Sequence, residues 1–385
     1  MAKPRGAICN LDCAYCYFLS KENLYPGSDF RMRDEVLEAY TRQYIEAQRV
    51  PEVTFAWQGG EPTLMDLEFF ERALHFQRKY ARPGMKIHNA LQTNGVTLDA
   101  DWCKFFGDNK FLIGLSLDGP RQVHDGYRKD RGGQPTFERV MRGLHLLQEY
   151  NVEFNTLTTV HSLNVPHPLD VYHFLRDEVN SAFMQFIPIV ERDNETGYQQ
   201  GNKVTARSVG GRQYGEFLTA IFDEWVRRDV DRVYVQIFDV TLGAWLGQPG
   251  SLCIFAPTCG AALALEHNGD VYACDHYVEP KFLLGNMLQT NLPALVASHQ
   301  QIKFGRDKLK KLSRYCQKCE VRFACHGGCP KNRILRTPAG EPGLNYLCEG
   351  YKHFFTHVDT PMKMMAALIR QGRHPAEVMN LLKKS

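Results

Sequence analysis

The chain of 385 residues contains no apolar stretch of the roughly 18 residues that a membrane-spanning helix requires. A transmembrane segment is therefore not expected. Lys3 and Arg5 lie near the N-terminus, but no apolar core follows them, so a secretory signal is not expected either. The expected compartment is cytoplasmic. Charge of one sign is also scarce: 46 Lys and Arg against 43 Asp and Glu leave +3. No block of like charge stands out, which argues against a nucleic acid or a membrane as partner. Low-complexity tracts and internal repeats are absent. Between Cys103 and Cys253 there is no cysteine at all.

Elsewhere cysteine is abundant. There are twelve: a trio at Cys9, Cys13 and Cys16, an isolated Cys103, and eight from Cys253 to Cys348. A reducing compartment disfavours disulfides, so clusters of this kind point to metal binding or chemistry. The remaining composition, 44% apolar and 23% charged, is that of an ordinary globular protein, and the length allows two or three domains.

From residue 33 to 230, helix-like and strand-like segments alternate. Val36, Leu37, Tyr40, Tyr44 and Ile45 have helical spacing, as do Phe69, Phe70, Ala73, Leu74 and Phe76. Strands are expected at 53–57, 86–91, 111–117, 152–160 and 182–190, and helices at 137–150, 169–179 and 216–227. Alternation of this kind predicts a parallel sheet. Right-handed crossovers allow it to be open or closed into a barrel, and Gly, Pro, Asn and Asp gather where its active site would lie, just after the strands. From about residue 250 the texture changes. Residues 263–266, Asn268-Gly269 and 271–274 predict a hairpin with a type I′ turn. The rest, to 351, reads as cysteine-rich loop, and 350–370 as one terminal helix.

Cys9, Cys13 and Cys16 follow C-x3-C-x2-C spacing. Three thiolates can hold three irons of a [4Fe–4S] cluster and leave the fourth open, as a catalytic metal site must. The alternative is three small residues on one helix face. With Tyr15 just before the last cysteine, the motif resembles the signature of the radical S-adenosylmethionine (SAM) superfamily. Gly59-Gly60-Glu61-Pro62 at a strand end resembles that superfamily's loop for the SAM amino group, although alone it would be a plain turn. By the same resemblance, Tyr15, Gly60, Ser116, Arg128 and Val190 are expected to contact SAM. Ordinary surface or core roles remain the alternative for Arg128 and Val190.

The later cysteines run Cys253-x5-Cys259, Gly269-x4-Cys274, Cys316-x2-Cys319-x5-Cys325-x3-Cys329 and Cys348. Eight divide into two sets of four. The pattern resembles the SPASM domain of radical SAM enzymes that modify peptides. That resemblance implies auxiliary cluster I on Cys253, Cys259, Cys274 and Cys329, and auxiliary cluster II on Cys316, Cys319, Cys325 and Cys348. Zinc is the alternative for such a segment. Cys103 has no partner pattern and reads as a small buried residue.

Asp275 directly follows Cys274. With Met32-Arg33-Asp34-Glu35-Val36-Leu37, Gln58-Gly59-Gly60-Glu61-Pro62-Thr63-Leu64, Leu91-Gln92-Thr93-Asn94-Gly95, Gln185-Phe186-Ile187 and Leu284-Gly285-Asn286, it resembles the anaerobic sulfatase-maturating enzymes over nearly the whole chain. The alternative for Asp275 is an acceptor of backbone N–H groups. The resemblance implies an α/β fold, a partial (β/α)6 TIM-like radical SAM barrel (1–230), a SPASM domain (231–349) and a C-terminal helix (350–385). It also implies three [4Fe–4S] clusters, SAM, and oxidation of a cysteine or serine to Cα-formylglycine, with Asp275 as base and the remaining electron leaving through auxiliary cluster I. The expected partners are a sulfatase polypeptide carrying Cys/Ser-x-Pro/Ala-x-Arg and an electron donor such as flavodoxin or ferredoxin. Because only eight residues precede Cys9, the first barrel strand is expected to be short or missing. Rival readings are a SPASM enzyme that crosslinks a small peptide, which would not need Asp275, and a non-catalytic iron–sulfur or zinc protein, which would not need an open trio.

Overall fold

The computed structural model describes residues 1–260 and 262–383. Ala261 and the last two residues of the C-terminal segment therefore lie outside the described residues. The first strand, β1 (Ala2–Lys3), is present but only two residues long. Helix α1 (Asp34–Ala47) follows, then β2 (Glu52–Trp57), α2 (Leu67–Tyr80), β3 (Lys86–Thr93), α3 (Ala100–Asp108) and β4 (Phe111–Ser116). Next come α4 (Arg121–Tyr127), α5 (Phe137–Glu149), β5 (Phe154–Val160), α6 (Pro168–His173), β6 (Phe183–Pro188), α7 (Gly211–Arg228), β7 (Tyr234–Val235) and α8 (Gln236–Trp245). The strands β1 to β7 lie side by side in chain order, all parallel. This is the order of a (β/α) barrel left open.

Burial alternates along the strands. In β2, Val53, Phe55 and Trp57 are buried and pack with Tyr40 of α1 and with Phe69 and Phe70 of α2. The other face turns inward and carries polar groups such as Gln92 and Ser116, hydrogen-bonded at 2.9 Å. One face thus makes the core and the other makes the walls of a cavity. Asp66 and Asp99 side chains cap α2 and α3.

The hairpin after residue 260 joins the same sheet. Its first strand, β8 (Ala264–Glu266), runs parallel to β1, pairing Ala2 with Leu265, and β9 (Asp270–Tyr272) and β10 (Leu283–Asn286) continue antiparallel. The expected type I′ turn is not formed. Gly269 has φ +92° but Asn268 stays out of the left-handed region, and Gly269 N–H donates to the Glu266 carbonyl at 3.0 Å. Asn268 instead uses its side chain, accepting the Asp270 N–H at 3.1 Å. The result is a three-residue loop closed by glycine.

Three further expectations change. Residues 169–179 form α6 followed by a π-turn at Phe174–Glu178. The terminal helix is two, Cys348–His357 and Asp359–Arg370, meeting at Val358. The cysteine-rich stretch is not all loop, since a 12-residue helix, His299–Lys310, crosses it.

Candidate active site

One cavity of about 540 Å³ opens at the carboxyl ends of the strands. Cys9, Cys13, Cys16, Tyr15, Gly60, Ser116, Arg128, Val190 and Asp275 all line it. The sequence-predicted residues of the trio, the expected SAM contacts and the expected base therefore meet in one place, from six different segments.

The trio's loop is held against the Gly59-Gly60-Glu61 segment by main-chain bonds: Gly60 N–H to the Gly6 carbonyl (2.8 Å) and Glu61 N–H to the Ile8 carbonyl (2.9 Å). A Cβ on Gly60 would stand 2.0 Å from the Ile8 oxygen, so only glycine fits. The Glu61 carboxylate is buried and accepts from Thr63, Thr93 and the Asn94 N–H. It ties this loop to the end of β3. Burial pushes the Cys9 and Cys13 thiols up to about 12. They are protonated near neutrality unless a cation replaces the proton.

Asp118 organises the opposite wall, and the sequence reading did not single it out. It is fully buried. Arg128 Nε donates to it at 2.9 Å, the Thr159 N–H at 2.9 Å, and the Tyr15 hydroxyl completes the set. Burial alone would raise its pKa, but Arg128 and His161 outweigh that and hold it far below the carboxylate range. Arg128 and Tyr15 are thus fixed before any ligand arrives. The available signal was a strand that ends in Asp-Gly-Pro.

Asp275 is placed by residues the sequence reading also passed over. The Lys3 ammonium stands 2.5 Å from one of its oxygens, and Tyr17 donates to the other at 2.5 Å. Lys3 is 1% exposed and lies over the Phe18 ring at 3.8 Å. Burial would raise the Asp275 pKa, but Lys3, His276 and Tyr17 hold it well below the ordinary range. The two-residue β1 thereby carries a side chain that fixes Asp275 in the cavity wall.

The eight later cysteines separate into two groups. Cys316, Cys319, Cys325 and Cys348 line one small cavity. Cys253, Cys259, Cys274 and Cys329 interact with one another electrostatically. None of the twelve is in a disulfide, and Cys103, buried on α3, belongs to neither group. Among the described residues, no three His, Cys, Asp or Glu side chains close in tightly enough for a single ion. All-sulfur sets of three, four and four are the donor sets that iron–sulfur clusters take. Lys308 and Arg333 were also missed. Lys308 donates to the Cys253 and Ile254 carbonyls at 2.5 and 2.9 Å. Arg333 lies between the two groups and bonds the Gly327 and Lys308 carbonyls.

Fold and site together define a radical SAM enzyme with an added cluster-binding domain. Residues 4–175 match the family model of the radical SAM superfamily, and 253–320 match SPASM, an iron–sulfur cluster-binding domain. A serine-type anaerobic sulfatase-maturating enzyme from Bacteroides thetaiotaomicron is 44% identical over 395 residues, covering 100% of this chain and 94% of that one. A cysteine-type enzyme from Clostridium perfringens is 36% identical over 364 residues, covering 93% and 95%. A solved structure described as native anSMEcpe with bound AdoMet superposes with a TM-score of 0.86 at 36% identity, over 95% of this chain and 98% of that one. The same protein with AdoMet and a Cp18Cys peptide gives 0.85 at 35% identity, over 96% and 98%. This chain belongs to the anaerobic sulfatase-maturating enzymes.

Proposed function

We propose that this protein oxidises a cysteine or serine in a sulfatase polypeptide to Cα-formylglycine, at the cavity where the cysteine trio, the SAM-contact residues and Asp275 converge. That convergence carries the reading. Cys9, Cys13 and Cys16 would hold a cluster with one open iron. Bound there, SAM would supply the 5′-deoxyadenosyl radical that takes a hydrogen atom from the substrate Cβ. Tyr15, Gly60, Ser116, Arg128 and Val190 would orient SAM, the last two supported by Asp118 and by the end of β6. Asp275 would accept the thiol or hydroxyl proton of the substrate. A base works best when its pKa lies near the working pH, and Lys3 holds this one low. A substrate that weakened the Lys3–Asp275 pair would raise the basicity of the carboxylate and so favour the proton transfer. Cys253, Cys259, Cys274 and Cys329 would hold auxiliary cluster I, which would supply the acceptor for the one electron left on the substrate after the hydrogen atom and the proton have gone, and Cys316, Cys319, Cys325 and Cys348 would hold auxiliary cluster II.

We assign residues 1–230 to the barrel, 231–349 to the SPASM domain, whose leading strand β7 adds to the barrel sheet beside β6, and 350–385 to the terminal helical segment. The substrate polypeptide would carry Cys/Ser-x-Pro/Ala-x-Arg, and a flavodoxin or ferredoxin would supply electrons. Among the described residues no helix is long and apolar enough to cross a membrane; the site of action we propose is the cytoplasm. The test is anaerobic: reconstituted protein, SAM and dithionite with a Cys-x-Pro-x-Arg or Ser-x-Pro-x-Arg peptide, read by mass spectrometry. Aldehyde formation with 5′-deoxyadenosine, suppressed in Asp275→Asn, is expected. SAM cleavage with the peptide unchanged would reject this substrate class.

A further inference from the structure

Residues 191–199, between β6 and α7, form one wall of the cavity. The segment is anchored: Lys21 donates to the Gly197 carbonyl at 2.9 Å, Asn194 bonds the Tyr198 and Gln200 carbonyls, and the Gln199 N–H donates to Glu279. Three carboxylates line the cavity. Asp275 is engaged by Lys3 and Tyr17. Glu191 is engaged by Arg207 at 2.9 and 3.0 Å and by Thr205 at 2.6 Å. Glu195, exposed at the edge, has no hydrogen bond or ion pair among the described residues. Beside it, Arg192 is 9% exposed. One of its nitrogens bonds the Lys331 carbonyl, while its Nε and Nη1 are buried with no acceptor. The Gln199 side-chain oxygen is likewise buried and unpartnered. Buried donors without acceptors cost free energy unless a ligand supplies the partner.

We propose that this segment is the substrate-recognition wall, with Arg192 donating to main-chain carbonyls of an extended peptide and Glu195 pairing with a cationic side chain of that peptide. The inference rests on the formylglycine reading, whose substrate motif carries one arginine. Four residues beyond the reacting one, an extended chain has travelled about 13 Å. The cation is then read far from the reacting carbon, by the one lining carboxylate that the protein leaves unpaired.

The experiment measures affinity without turnover. Labelled peptides bearing either arginine or its neutral isostere citrulline are titrated by fluorescence anisotropy into cluster-reconstituted, SAM-loaded, unreduced protein. Glu195→Gln is expected to weaken the arginine peptide about two- to fivefold and leave the citrulline peptide unchanged. Glu195→Arg should recover affinity for a peptide in which glutamate replaces that arginine. Arg192→Gln should weaken both peptides alike. Equal response of the two peptides to Glu195→Gln, or none, would overturn the Glu195 pairing. Arg192 also feels the charge of Cys329. An Arg192→Gln protein with unchanged peptide affinity and a shifted auxiliary-cluster potential would show that Arg192 serves the cluster and overturn its peptide role. Wild-type protein that binds the arginine peptide yet never oxidises it would remove the formylglycine reading while the wall stood.

Discussion

The side chains that matter most at this site are held by partners that patterns of spacing do not reveal. Asp118 is the sharpest case, because Arg128, Tyr15 and the Thr159 N–H all converge on it inside a buried wall. Asp118→Asn would leave Arg128 as a buried, unpaired cation, a change that typically costs about 3–5 kcal/mol. A markedly lower melting temperature is expected, together with SAM affinity, by equilibrium dialysis, down at least tenfold. A variant that binds SAM normally would show that Asp118 only supports the fold. The native carboxylate titrates far below its usual value of about 3.9. Its stabilisation is therefore complete above that value and is lost only as pH falls below it. SAM affinity should be flat from about pH 5 to pH 8, and a titration of SAM binding that broke within that window would contradict the pairing. Asp275 follows the same pattern. Lys3→Met removes the cation that holds it low, so the pH–rate profile of peptide oxidation should shift its acidic limb upward. Because Lys3 is buried, Lys3→Arg serves as the control that keeps the charge, and its profile should stay near the wild type.

At the scale of elements, what could be read from the sequence was whatever followed apolar periodicity. Helices α1, α2 and α5 bury Leu37, Phe69, Phe70, Val140 and Leu144, and their spacing shows it. The helix His299–Lys310 buries Gln301, Gly305 and Lys308 instead. Gln301 bonds the Gly260 and Ala273 carbonyls, and Gly305 gives the Cys259 carbonyl room, since a Cβ there would stand 2.1 Å from it. A helix that buries polar groups to shape a ligand loop has no apolar stripe to find. The grouping of the cysteines was legible because residue type and short spacing mark it, whereas Lys3, Asp118 and Lys308 act across gaps of up to 272 residues. The terminal helix depends on a contact of the same hidden kind. Gly350, two residues after Cys348, packs against α7 so closely that a Cβ would stand 1.9 Å from the Gly211 carbonyl oxygen. Gly350→Ala should therefore push this helix off α7 and move Cys348 with it. Destabilisation of about 1–3 kcal/mol is expected in denaturant unfolding, with iron content falling below that of the wild type. Full iron loading in the variant would mean that Cys348 is positioned independently of the α7 contact.

Across the whole molecule, the barrel and the cysteine-rich region share one sheet and one core. Strand β8 extends the barrel sheet by pairing with β1, and the terminal helices contribute Tyr351, Phe354, Met362 and Met365 to the same core as α7 and β6. The cysteine-rich stretch between these anchors has few buried apolar residues of its own, chiefly Leu312, Val321, Ala324 and Leu347. Burial that sparse gives little folding free energy at about 25 cal/mol per Å², so ligation must supply much of the order there. The barrel, by contrast, has two large cores packed between its sheet and the surrounding helices. Anaerobic removal of iron should accordingly leave the barrel, the hairpin at 264–286 and the terminal helices folded, while 312–347 and the approach to Cys253 and Cys259 become open to protease. Limited proteolysis read by mass spectrometry distinguishes the cases. Cleavage confined to those two stretches, with the C-terminal fragment still bound to the barrel, is the expected outcome. Equal protection of iron-free and iron-loaded protein throughout 253–348 would mean that side-chain packing alone holds the region. Cleavage spread evenly over the chain would mean instead that the clusters support the barrel as well.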